Sequence, residues 1–100
     1  MKDLEEHLKI RIAISLNKLL KSREKLHTVD EEIMARSYGK IALNADIRKA
    51  TVSDTFNAKS LPNSATLIFI VEAMGYTFLD FARVYDSITE EDILSFKREA

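Results

Sequence analysis

The sequence predicts an all-α domain of five to six helices, and three observations carry that prediction. Apolar residues recur at intervals of three and four, the period of a helix with one buried face. Helix-start signals stand ahead of those runs: Thr28–Glu31, Thr77–Asp80 and Thr89–Asp92 each place a threonine three residues before an acid. In that spacing the hydroxyl and the carboxylate can satisfy free amides of a first helical turn. Helix breakers are scarce, with two glycines and one proline in 100 residues.

Residues 2 to about 25 form one long helix in this reading, free of Gly and Pro and rich in Leu, Ile, Lys and Glu. Leu4, Leu8, Ile12, Leu16 and Leu20 follow one another at i+4, and Ile10, Ala13, Ile14 and Leu19 widen the stripe. The spacing does not hold a 3.5-residue repeat, so a coiled coil is not expected. This apolar surface needs cover, from the C-terminal segment or from a second copy. His7 and His27 are the only histidines, spaced for no metal motif, and are read as solvated or capping residues. Thr28 to Glu31 starts a further helix near Val29. It either continues to Asn44 or breaks at Ser37; no residue forces a break, and the continuous helix is the expectation.

Ser37 to Asn57 reads as two short helices joined by a tight turn. Ile41, Ala42 and Ala45 share one face of the first, and Ile47 and Val52 extend it into the second. Ala42 is small where two steeply crossing helices approach. Asp46 sits at the reversal, a residue type that visits the left-handed region more readily than most. The second helix, from Arg48 or Lys49 to Asn57 or Ala58, presents Arg48, Lys49, Thr51, Ser53, Asp54 and Asn57 on a polar face. This is a helix-turn-helix pattern.

Beyond it, Pro62 holds Leu61 extended and Asn63 caps a helix over Ser64 to Met74. That helix buries Leu67, Ile70, Val71 and Met74, while Ile68 and Phe69 spread its apolar surface further; Gly75 ends it. Phe78, Phe81 and Val84 belong to the next helix, and Ile93, Leu94 and Phe96 to the last. The last has an acidic first turn and ends with Lys97 and Arg98, both favourable to the helix dipole.

Composition bounds the function. The chain has the length of one domain and an ordinary globular balance, 46% hydrophobic and 31% charged. It has no cysteine, which excludes disulfides and cysteine-held metals and suits a reducing cytoplasm. An acidic start and short apolar runs predict neither a signal peptide nor a membrane span. Two glycines are too few for a P-loop or a dinucleotide fingerprint, and no nucleophile–base set stands out. Enzyme activity is therefore not expected, nor is any cofactor or metal. The net charge of −1 hides an asymmetry. Residues 36–60 carry Arg36, Lys40, Arg48, Lys49 and Lys59 against Asp46 and Asp54, while residues 61–100 hold three basic and seven acidic side chains.

Over about residues 36–81, with the motif core at 37–57, the chain resembles the phage-repressor (Cro- and Xre-like) family of DNA-binding domains. The ungapped match runs through Ser37, Tyr38, Ile41, Ala42, Asp46, Ile47, Arg48, Thr51, Val52 and Ser53. It continues through Leu61, Pro62, Asn63, Leu67, Ile70, Ala73, Met74, Gly75, Phe78 and Phe81. The resemblance implies one lambda-repressor-like domain over residues 1–100, with a lengthened first helix and an added C-terminal helix. Tyr38 stands where the family has a phosphate-contacting Gln, and Asp46 and Ala58 replace glycines. Phe56 replaces a Glu that pairs with an Arg of the first helix, so an apolar contact is expected in place of that ion pair.

By the same resemblance the protein is a sequence-specific DNA-binding transcriptional regulator, a repressor, whose second motif helix enters the major groove of double-stranded DNA. Lys49, Ala50 and Asp54 are the candidate base readers, matched in chemistry to guanine, a thymine methyl and the cytosine amino group. Ser37, Tyr38, Arg48, Thr51, Ser53, Asn57 and Lys59 are the candidate backbone contacts, helped by free amides at the start of the first motif helix. A homodimer is expected, because one such helix reads only a few base pairs. Two alternatives stand beside this reading: an antitoxin that also binds a toxin, and a protein-interaction module without DNA affinity.

Overall fold

A long first helix is the post around which the others pack. In the computed structural model, which describes residues 2–25 and 37–99, α1 spans Lys2–Lys25 and is followed by α2 (Tyr38–Ala45), α3 (Lys49–Phe56), α4 (Ser64–Ala73), α5 (Phe78–Ser87) and α6 (Glu90–Glu99). The described residues are all-α, with no strand. Between Ile10 and Leu20, α1 is buried on most of its circumference: Ile10, Ile12, Ala13, Ile14, Ser15, Leu16, Leu19 and Leu20 are all inside. The main core joins Ile12, Leu16, Leu19 and Leu20 to Ile41, Ala42, Val52, Phe56, Ile70, Val71, Met74 and Phe81. Each large apolar side chain fully removed from water contributes roughly 1.5–3 kcal/mol.

A second, smaller cluster answers the question of cover. Ile10 and Ile14 meet Ile88 and Ile93, with Val84 and Phe96 packed against them. The C-terminal segment thus closes over the middle of α1. It leaves apolar surface open in the first two turns, where Leu4 is 72% and Leu8 36% exposed. His7 lies 3.4 Å from Glu90 and Lys18 lies 3.7 Å from Asp92, two exposed pairings of the kind that adds little to stability.

Helices α2, α3 and α4 all end in the same way. An amide reaches back five residues, Ile47 to the Ala42 carbonyl, Lys59 to Asp54 and Tyr76 to Val71, at 2.8–3.2 Å. The residue before each, Asp46 (φ 57°), Ala58 (φ 59°) and Gly75 (φ 87°), takes the left-handed conformation that this closure requires. Glycine does so freely and Asp with little penalty, whereas alanine at such a φ costs about 1–2 kcal/mol. Ala58 is held there by the paired amides and by its packing against the cluster of Ile10, Ile14, Ile88 and Ile93.

One expectation is corrected. The helix foreseen over Val29–Asn44 is not continuous, because Ser37 has extended backbone (φ −135°, ψ 159°) and its hydroxyl oxygen accepts the Lys40 N–H at 3.2 Å. A serine oxygen satisfies a free first-turn amide, so the chain can start a new helix at Tyr38 with little loss. The start signal at Thr28–Glu31, His27 and Arg36 lie outside the described residues.

Candidate nucleic-acid interface

The α2–α3 pair is assembled from both sides. From below, Ile41, Val52 and Phe56 are fully buried and Ala42 is 5% exposed, so small and apolar atoms occupy the crossing. From the side, the Tyr38 ring packs against Phe56 with centroids 4.9 Å apart and planes tilted by 40°. The apolar contact expected at Phe56 is therefore present, and Tyr38 supplies part of it. From α1, the Asn17 side-chain N–H donates to the Phe56 carbonyl at 2.9 Å, taking up a carbonyl that the end of α3 leaves without a helical partner.

This fastening leaves one face of α3 outward. Lys49, Ala50, Ser53, Asp54 and Asn57 recur at i, i+1, i+4, i+5 and i+8, opposite the buried Val52, Thr55 and Phe56. Lys49, Ala50 and Asn57 are exposed, and Ser53 and Asp54 are half-buried. All three candidate base readers thus share that face. Thr51 is half-buried at its edge and its carbonyl accepts from the Thr55 hydroxyl at 2.8 Å, which satisfies the buried threonine.

The backbone candidates fall into two groups. Arg48, at the cap position of α3 with extended backbone, makes no side-chain bond to the first turn, and no acid stands in that turn. Its guanidinium, the Lys49 ammonium and the early α3 amides all lie at the positive end of the helix dipole. Ser37, Arg48 and Lys59 are exposed around this end and along the motif. Tyr38 and Asn57 are more constrained. The Tyr38 ring is committed to Phe56, and the Asn57 side-chain N–H donates to the Ser53 carbonyl at 2.8 Å. Either can serve phosphate only with the polar capacity that remains.

Sequence reasoning missed the residues that hold the site still. Besides Asn17, the Tyr76 hydroxyl donates to the Leu19 carbonyl at 2.9 Å, and the Arg11 Nε donates to the Tyr85 carbonyl at 3.1 Å while its guanidinium lies 4.4 Å over the Tyr85 ring. These partners are 39 to 74 residues apart in the chain, and no local spacing announces them. Among the described residues no group of His, Asp and Glu is arranged to hold a metal ion, and no single helix is long and apolar enough to cross a membrane. Compared with protein-family models, with curated proteins and with solved structures, the chain matches none.

Proposed function

We propose that this chain is a sequence-specific DNA-binding regulator, a repressor that lays α3 in the major groove as a two-fold pair. The observation that carries the reading is the contrast between the two sides of α3. Its back is locked by buried Val52, Thr55 and Phe56, while its front offers Lys49, Ala50 and Asp54 in one row. A rigid helix with a polar front and a basic, uncapped start has the layout that groove reading asks for. Net charge is close to zero, so affinity depends on where the positive groups stand. The distribution of charge supplies a second support: residues 61–100 carry a negative excess, whereas residues 36–60, which include the motif, carry a positive one that favours a polyanion.

Reading and holding are separable by experiment. Binding of duplexes drawn from the DNA upstream of the protein's own gene is titrated at several salt concentrations. Lys49→Ala is expected to lose about 1–3 kcal/mol on the preferred site and to relax preference at one base pair. Lys59→Ala, beyond the end of α3, weakens all sequences alike and lowers the salt slope by about one unit. Both variants remove one positive charge, so equal losses on specific and random duplexes would refute base reading by Lys49. No duplex binding by the wild type at moderate salt overturns the whole reading in favour of a protein-interaction module.

A further inference from the structure

The first two turns of α1 stand outside everything the DNA reading uses. Leu4 is 72% exposed and Leu8, one turn on, is 36% exposed. Beside Leu8 the surface opens into an apolar groove of about 280 Å³ between α1, α4 and α5, lined by Ile12, Phe78, Phe81, Ala82 and Tyr85 with Asp86 at its rim. Phe78, at its α5 end, is itself 45% exposed. One molecule therefore carries both a projecting leucine and an apolar recess, separated along a single helix.

Their spacing defines what fits. Leu4 and Ile12 lie on either side of Leu8, each about 6 Å away along the helix axis. When two copies of α1 cross antiparallel at Leu8, Leu4 of each arrives at the level of Ile12 of the other, where the groove opens. The contact is reciprocal, as a two-fold interface must be. Charge selects the same arrangement. Position 8 divides this segment into a net acidic side, Asp3, Glu5 and Glu6 against Lys2, and a basic side, Lys9 and Arg11. An antiparallel pair sets acid against base on both flanks, whereas a parallel pair sets like against like. Arg11 is already anchored over the Tyr85 ring at 4.4 Å, so its charge is fixed beside the recess.

We infer that the N-terminal turns of α1 and the α1–α5 groove form a self-complementary homodimer interface, with Leu4 of each copy seated in the other's groove and Glu5 facing the partner copy's Lys9. This inference rests on the two-fold DNA reading for its purpose, but its test needs no DNA. Occupation of the groove also gives an account of Leu4 and Leu8, which the described residues leave exposed.

The test is solution mass by light scattering over a dilution series that reaches tens of micromolar, on the full chain. The wild type is a dimer at the upper end. Leu4→Ala, which trims a side chain that makes little contact within one copy, raises the dimer dissociation constant about tenfold or more. Leu8→Glu gives a monomer, with circular dichroism confirming its helices. Glu5→Lys weakens the dimer, and the double reversal Glu5→Lys with Lys9→Glu restores it. Leu43→Glu, at an 80% exposed leucine on α2 away from this face, leaves the dimer intact. A wild type of single-chain mass throughout overturns the inference. So does a dimer indifferent to Leu4→Ala and Leu8→Glu, or a double reversal no tighter than the single one. A dimer that responds as stated yet binds no duplex retains this interface and removes only the DNA reading.

Discussion

Helices α3 and α5 solve the same problem in opposite ways. Both start after an extended residue, and both must find partners for first-turn amides. At α5 the protein supplies them: the Thr77 hydroxyl oxygen accepts the Asp80 N–H at 3.2 Å, and the Asp80 carboxylate accepts the Thr77 N–H at 2.8 Å. At α3 the cap position holds Arg48, whose side chain accepts no first-turn amide and brings positive charge to an end that is already positive. The first arrangement closes a helix end and the second leaves one open. An end closed from within has no use for a ligand; an open basic end gains from any anion that approaches. The difference sets α3 apart from the better-formed starts of α5 and α6, and on the proposed DNA reading its open end is the one that gains from a phosphate.

The strongest way to break the comparison is to free α3 from its support. Phe56 is fully buried, touches Tyr38 and carries the carbonyl that Asn17 holds. Phe56→Ala removes a large buried side chain and leaves a cavity, and is expected to destabilise the fold by about 3–5 kcal/mol. Urea denaturation followed by circular dichroism measures this. A loss below about 1 kcal/mol, within the range of surface substitutions, would mean that α3 is not anchored as described.

What the sequence disclosed follows the same division between local and distant causes. Caps at Asn63, Thr77 and Thr89 were legible because the acceptor and the amide it serves lie three residues apart. The reversal at Asp46 was legible because few residue types tolerate φ 57°. The break at Ser37 was not, since Lys40 stands where a capping box would place Glu or Gln, and half of the usual signal is missing. The exposure of Leu4 and Leu8 was also hidden. They continue the stripe of Ile12, Leu16 and Leu20 without interruption, and periodicity cannot say where the covering helices run out. Of the candidate site, the outer row of α3 could be read from the 3.6-residue period alone. The Asn17 bond to Phe56, spanning 39 residues, could not.

Exchanging the two kinds of helix start sharpens the comparison further. Thr77→Ala opens α5 and is expected to destabilise the fold by about 1 kcal/mol, within a usual range of roughly 0.5–2. Arg48→Ser closes α3 by placing an acceptor at its cap, and is expected to stabilise the fold by an amount of the same order, about 0.5–1 kcal/mol. The functional consequences run the other way. Thr77→Ala leaves duplex affinity at wild-type strength under conditions where it is folded, while Arg48→Ser weakens it by removing a cation and occupying an amide. Thermal unfolding and duplex titration of the two variants side by side measure both quantities. Arg48→Ser with raised stability and undiminished affinity would show that the open end of α3 has no part in binding.

The smallest effect concerns protons, and it too separates the helix starts. The Asp80 carboxyl is held below its ordinary value of 3.8, chiefly by the Thr77 backbone N–H and then by the Thr77 hydroxyl. Asp92 is held low in the same manner by Thr89. A carboxyl whose folded value is depressed contributes stability above its unfolded value and loses it as pH falls through the folded one. Both contributions are therefore complete at neutral pH and fade only on acidification below about 3.8. Both groups are exposed to solvent, so the expected change is local opening of two first turns rather than global unfolding. Amide hydrogen exchange resolves it residue by residue: Thr77 and Thr89 lose protection in that acid range, while the Lys40 amide, capped by the Ser37 hydroxyl that does not titrate, keeps its protection. Asp80→Asn removes the titration at α5 and leaves it at α6, so Thr89 continues to respond after Thr77 has stopped. Equal acid sensitivity at Lys40 and Thr77 would mean that general charge repulsion, not the capping carboxylates, governs the helix starts.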